Sequence, residues 1–141
     1  MRRLLTVLAT VAMMMGVLAV PAVADEAEVF TDTVTFEAGN PCSGELHIVT
    51  INFLISVHDH EDEVLVRLRR TGETSDGFIM EHGKETISEG GGVFSAQFRD
   101  PWNNPDTGEK FEAAGRFLEV DGEVIVDDFR LACVSGPTIL P

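Results

Sequence analysis

LHIVTINFLISV, Leu46 to Val57, decides the fold class. Val49, Ile51, Phe53, Ile55 and Val57 fall on one side of an extended chain, while Thr50, Asn52, Ser56 and His58 fall on the other. Side chains of a strand point alternately to opposite faces, so period two marks a half-buried strand; a helix would repeat its apolar positions every three to four residues. The threonine and asparagine face is expected to meet solvent. His47 shares the inward parity of Val49 and Ile51, which reads as a hydrogen-bonded lining residue ahead of a metal or substrate ligand.

The same period extends in both directions. VFTDTVTFE, Val29 to Glu37, sets Phe30, Val34 and Phe36 against threonines, and AGNPCSGE after it is a turn by its Gly, Asn and Pro content. VLVRLRR puts Val64, Val66 and Leu68 inward with Arg67 and Arg69 outward. The middle is weaker: Phe78-Ile79-Met80 and Thr86-Ile87 read as two short strands separated by Gly83 and ended by Gly90-Gly91-Gly92. VFSAQFRD places Phe94, Ala96 and Phe98 on one face. Pro105-Asp106-Thr107-Gly108 has the chemistry of a turn closed by a left-handed glycine, and Asp121-Gly122 is the strongest two-residue hairpin signal in the chain. The expectation is an all-β domain of seven or eight strands in an antiparallel meander. A single up-and-down barrel is preferred, because closure removes the sheet edges, with a β-sandwich as the alternative.

One place breaks the alternation. Pairing across Asp121-Gly122 sets Gly115 opposite Asp128 and Ala113 opposite Arg130, on the face of Phe111 and Phe117. Either Asp128 and Arg130 point inward as a carboxylate–guanidinium pair, or an extra residue at Asp127-Asp128 makes a bulge. The bulge, which is preferred, returns Phe129, Leu131 and Cys133 to the core.

VHDHEDEV, Val57 to Val64, is the stretch richest in chemistry. His58 and His60 converge on a metal only if the strand continues through both, with Asp62 as a further ligand. Matching Val57 with Val64 keeps the apolar residues on one face and leaves Asp59-His60-Glu61-Asp62 as a solvated four-residue loop. A wet turn is therefore expected, and no metal site.

The chain starts with Arg2 and Arg3, an apolar run and Ala22-Val23-Ala24, the pattern of a secretory signal peptide over residues 1–24, followed by one domain over 25–141. The protein is thus expected to be secreted or periplasmic. All 24 acidic residues but only eight of the ten basic ones follow residue 24, so the mature net charge is −16. Such a surface argues against nucleic acid and, once the signal is removed, against membranes. Cys42 and Cys133 in an exported chain are expected to form one disulfide.

The sequence carries no GxSxG elbow, HExxH motif or phosphate-binding glycine loop, so no catalytic residue and no cofactor are assigned. Trp102, in a Pro- and Asn-rich segment, either plugs a barrel end or stacks on a sugar. His47, Phe53, Phe94, Phe98, Phe111, Trp102, Asp128 and Arg130 are the candidate lining of an interior ligand site.

Asn40-Pro41-Cys42-Ser43-Gly44-Glu45, together with Val126-Asp127-Asp128-Phe129 leading to Cys133, resembles a group of small secreted bacterial proteins. They share an Asn-Pro-Cys-Thr-Gly-Glu-like turn and a closing Val-Asp-Asn-Phe strand with a second cysteine. Ser43 replaces the usual threonine and Asp128 the usual asparagine. The resemblance implies the disulfide and the β fold, and no chemistry. The expected function is an exported non-enzymatic domain binding a small apolar or neutral ligand, or a protein partner. The alternatives are an enzyme using an interior His47 or Asp128, and a cation-binding or structural envelope protein. A lumen lined by the phenylalanines favours a small ligand, whereas a filled core favours a surface-interaction role.

Overall fold

The computed structural model describes residues 27–139. The signal-peptide reading of residues 1–24 lies outside them. Seven strands form one antiparallel sheet in chain order: β1 (Glu28–Gly39), β2 (Leu46–His60), β3 (Glu63–Thr74), β4 (Ile79–Gly90), β5 (Val93–Asn103), β6 (Lys110–Val120) and β7 (Glu123–Cys133). The described residues form no helix. β1 pairs only with β2, and β7 only with β6, so the sheet is not closed into a barrel by strand pairing.

The sheet nevertheless curls around its inner face. Cys42, in the β1–β2 turn, is bonded to Cys133 at the end of β7, with the two Cα atoms 4.9 Å apart. Val49, Ile51, Phe78, Met80, Trp102 and Phe111 form one buried cluster at this end, joined by Val34 of β1 and Leu131 of β7. Val66, Leu68, Ile87 and Ala96 form a second cluster toward the other end, joined by Phe94 and Phe117. Phe53 touches both. Burying a large apolar side chain contributes roughly 1.5–3 kcal/mol, so these two clusters are the main cohesion of the sheet. No β1 or β7 residue packs on the second cluster, and Val29, Val124 and Ile125 are exposed there. The open edges are guarded by Glu28, Asp32, Glu123, Asp127 and Asp128, charges that discourage edge-to-edge pairing.

Two bulges set the inner face. β4 is one continuous strand, not two fragments. Its register slips by one residue where Glu81 and His82 stand between Met80, opposite Gly72, and Gly83, opposite Arg70. That extra residue lets Met80, Gly83 and Glu85 share a face despite their parity. Pro101, which has no N–H to give, sits in the interval where β4–β5 pairing is interrupted. The β7 bulge falls at Ile125, earlier than Asp127-Asp128 as expected from the sequence. Leu118 faces Val126 and Glu119 faces Val124, leaving Ile125 as the extra residue. Phe129, Leu131 and Cys133 turn to the core face as expected, but Phe129, meeting Phe98 at 6.1 Å, stays exposed at the open edge rather than entering the core.

The β2–β3 hairpin is tighter than the sequence suggests. His60 pairs with Glu63 and Val57 with Val66, so the turn is Glu61-Asp62. This register differs from Val57–Val64 by a slip that preserves parity, and the apolar face is unchanged.

Candidate functional site

Between the two apolar clusters the inner face carries a buried ionic group. Arg70 of β3 lies 3.1 Å from Glu85 of β4 and 3.1 Å from Asp100 of β5, and all three side chains are at least nine-tenths buried. The guanidinium rests over the ring of Phe98 at 5.1 Å and of Phe53 at 6.0 Å, placing a cation on two aromatic faces. Its geometry is not saturated. Arg70 Nε has no hydrogen-bond partner, and Asp100 Oδ1 meets Nη2 as an ion contact rather than an aligned hydrogen bond. One guanidinium faces two carboxylates, so burial pushes the Asp100 carboxyl up to about 6, against the pull of Arg70 and with Glu85 adding to the rise. Burial raises Glu85 as well, again opposed by Arg70. Gly83 leaves the space: a Cβ there would run into Asp100 Oδ1 and Met80 Sδ.

At the disulfide end, three turns meet on Asp76. Asn40 donates its side-chain amide to Asp76 Oδ2 at 2.8 Å, and Asn104 donates to the Asp76 backbone carbonyl at 3.0 Å. His47 Nδ1 is 2.9 Å from Asp76 Oδ1, and the Thr74 hydroxyl donates to the same oxygen. Burial works to raise the Asp76 pKa, but the bonds from Thr74, Asn40 and His47 outweigh it and hold the carboxyl below its usual range. The His47 ring is walled by Phe78 and Phe111, so it is a packed and hydrogen-bonded residue, as its parity implies.

The candidate lining residues divide between two faces. His47, Phe53, Phe94, Phe98, Phe111 and Trp102 point inward. Trp102 is buried and stacks on Phe111 at 5.5 Å. Asp128 and Arg130 do not belong with them. The Ile125 bulge turns both outward, where Arg130 Nη2 donates to Glu112 Oε1 at 3.0 Å. β2 does continue through His58 and His60, which share the outer face, but His58 Nε2 bonds Ser56 Oγ at 3.2 Å. Among the described residues there is no group of three or more His, Cys, Asp or Glu side chains placed to hold a metal ion, so Asp62 completes no site with them.

Two features escape a reading by alternation. The ionic group is assembled from three residues far apart in sequence, each an ordinary surface charge by type. The Asp76 junction had a visible signal: Asn40-Pro-Cys-Ser-Gly-Glu45 recurs as Asn104-Pro-Asp-Thr-Gly-Glu109. In each copy the asparagine Oδ1 accepts from the backbone N–H groups two and three residues on, and the glycine has positive φ, +77° at Gly44 and +75° at Gly108.

Beside the β4 bulge the outer face opens into a cleft of about 660 Å³, bordered by Asn52, Leu54, Arg69, Thr71, Glu81, His82 and Lys84 and reaching Phe53, Arg70 and Gly83 of inward parity. No protein-family model matches the chain, and no curated protein or solved structure matches it. The disulfide is compatible with an extracellular or periplasmic location, and no helix among the described residues is long and apolar enough to cross a membrane.

Proposed function

We propose that this chain is an exported, non-enzymatic binding domain that meets its ligand on the outer surface of the sheet rather than in a lumen. One observation carries the reading: the inner face is occupied by the chain's own side chains. Phe78, Met80, Trp102 and Phe111 fill one end, Val66, Leu68, Ile87 and Ala96 fill the other, and Arg70 with its two carboxylates bridges them. A small apolar ligand would have to displace this packing and leave charges buried without partners, which costs several kcal/mol per ion. The outer face offers both concavity and unshielded polar groups.

The test is native mass spectrometry of the protein purified from its source, followed by nuclear magnetic resonance of labelled protein. The polypeptide is expected to fly without a stoichiometric small-molecule adduct. Titrated ligands are expected to shift outer-face amides such as those of Leu54, Arg69 and Lys84. A retained apolar compound whose removal shifts Phe98 and Phe111 would overturn the proposal.

A further inference from the structure

Net charge conceals how the charges are arranged. Strand register gathers the cations onto one strip of the outer face. Leu54 pairs with Arg69, Arg69 with Lys84, Lys84 with Arg99, Arg99 with Ala114 and Ala114 with Arg130, a row running straight across β2 to β7. The adjacent row runs Arg67, Thr86, Gln97, Arg116 and Asp128. Arg67, Arg69, Lys84, Arg99, Arg116 and Arg130 are all exposed. The other two basic residues of the described chain, Arg70 and Lys110, lie respectively in the core and at the turn end. The acids beside the belt are Glu112, held by Arg99 at 2.7 Å and Arg130 at 3.0 Å, Asp128 opposite Arg116, and the exposed Glu81, which lines the cleft together with Arg69 and Lys84.

Neighbouring strands are spaced about 4.8 Å apart, so the row from Arg69 to Arg130 presents cations over roughly 19 Å in a line perpendicular to the strands. At the β3–β4 end the line runs into the cleft of about 660 Å³. Alongside it Thr33, Thr35, Thr50, Asn52 and Thr71 form a ledge on the same outer face, with Glu73 paired to Thr50 at its far side.

We infer that this belt is the binding site for an acidic polysaccharide, a linear sugar polymer carrying sulfate or carboxylate groups. The inference rests on the surface-binding reading above and names its ligand class. A row of guanidinium and ammonium groups matches spaced anionic groups, with Arg suited to planar, bidentate capture of sulfate or carboxylate. The threonine and asparagine ledge supplies donors and acceptors for sugar hydroxyls. The row places no aromatic ring on this face, where a single-stranded nucleic acid would need stacking platforms. An anionic membrane would bring the acidic remainder of the chain against like charge. Segregation of charge also selects the orientation, since only this strip attracts a polyanion.

The experiment is titration calorimetry of the purified, disulfide-bonded protein in 0.15 M NaCl against dextran sulfate and polygalacturonate. Neutral dextran, an oligothymidylate and phosphatidylglycerol vesicles are run beside them. Binding of at least one acidic glycan, none of dextran, and weaker binding as salt rises are expected. Arg69→Gln with Lys84→Gln should weaken the glycan at least tenfold with unchanged circular dichroism, while Lys110→Gln changes it less than twofold. Equal affinity in the double variant, or preference for oligothymidylate or vesicles over both glycans, would overturn the inference while leaving a surface reading intact. Amide shifts confined to inner-face residues on glycan addition would overturn the surface reading itself.

Discussion

Asn40 and Asn104 hold Asp76 between them. Each asparagine shapes its own turn with its side-chain carbonyl and spends its amide on Asp76, one on the carboxylate and the other on the backbone oxygen. Asp76 in turn takes His47 and Thr74. The β1–β2, β3–β4 and β5–β6 turns are thereby joined at one end of a sheet whose edge strands do not pair. The disulfide adds β7 to the same end. The sheet is fastened at the turns and left open at the opposite seam.

Asp76→Ala should cost about 2–4 kcal/mol, because it strands Asn40, His47 and Thr74 beside an apolar wall. Asp76→Asn should lose less, since it keeps an acceptor. Chemical denaturation at pH 7 reads both. A cost below about 0.5 kcal/mol for the alanine variant would show that the junction does not hold the turns. The carboxyl titrates below its unfolded value, so its stabilisation is present above about pH 4 and fades as pH falls through the folded pKa.

Reduction should reveal the second fastening. The Cys42–Cys133 bond spans a sequence separation of 91 residues, and closing such a loop restricts the unfolded chain by about 4–5 kcal/mol. Cys42→Ser with Cys133→Ser is expected to lower the unfolding free energy by about that amount. Thiol titration of the denatured, unreduced protein should find no free sulfur.

Alternation made the strands, the inward parity of His47 and the pairing of the two cysteines legible, because each depends on local period or on count. Register was less so. Val57–Val64 and Val57–Val66 satisfy the same alternation, and only the turn length distinguishes them. Bulges hide for a related reason: an inserted residue looks like a broken pattern, as at Glu81-His82, where one strand reads as two. Arg70 has the inward parity of Leu68, but nothing local in the sequence marks its charge as buried. Its partners Glu85 and Asp100 arrive from two other strands, so burial of the charge depends on tertiary pairing. The basic belt is likewise a product of register, since its residues are scattered along the chain and total charge reports the opposite sign.

The acidic excess should show itself in salt. Charges interact over about 30 Å at 0.01 M ionic strength and about 3 Å at 1 M, so screening relieves self-repulsion. Stability should rise from 0.01 to 1 M NaCl, and KCl should act alike. Micromolar Ca²⁺ raising the melting temperature by several degrees in 0.15 M salt would instead indicate a specific ion site.

The buried Arg70 group makes a prediction of opposite pH sign to Asp76. Asp100 has its carboxyl raised from 3.8 to about 6, so the folded state holds a proton that the unfolded state has already released. The stability it provides is full below about pH 4 and is lost as pH rises through about 6, at about 1.4 kcal/mol per pKa unit, or about 3 kcal/mol in all. Glu85, also raised, acts in the same direction. Asp76 and Glu112, both lowered, lose their contribution as pH falls. Unfolding free energy is therefore expected to peak in weak acid, near pH 5, and to decline toward pH 7.5. Asp100→Asn keeps the side chain's shape and leaves Arg70 paired with Glu85 alone. It should flatten the decline and raise stability at pH 7.5 by about 1–3 kcal/mol. Arg70→Met should do the reverse, because it leaves two carboxylates buried without a cation, at a cost of about 3–5 kcal/mol at pH 7.5 that shrinks in acid as they take up protons. Urea titrations of the three proteins at pH 4.5, 6 and 7.5 decide it. If Asp100→Asn is less stable than the parent at pH 7.5, the second carboxylate is needed by the guanidinium, and the excess-charge account of the triad fails.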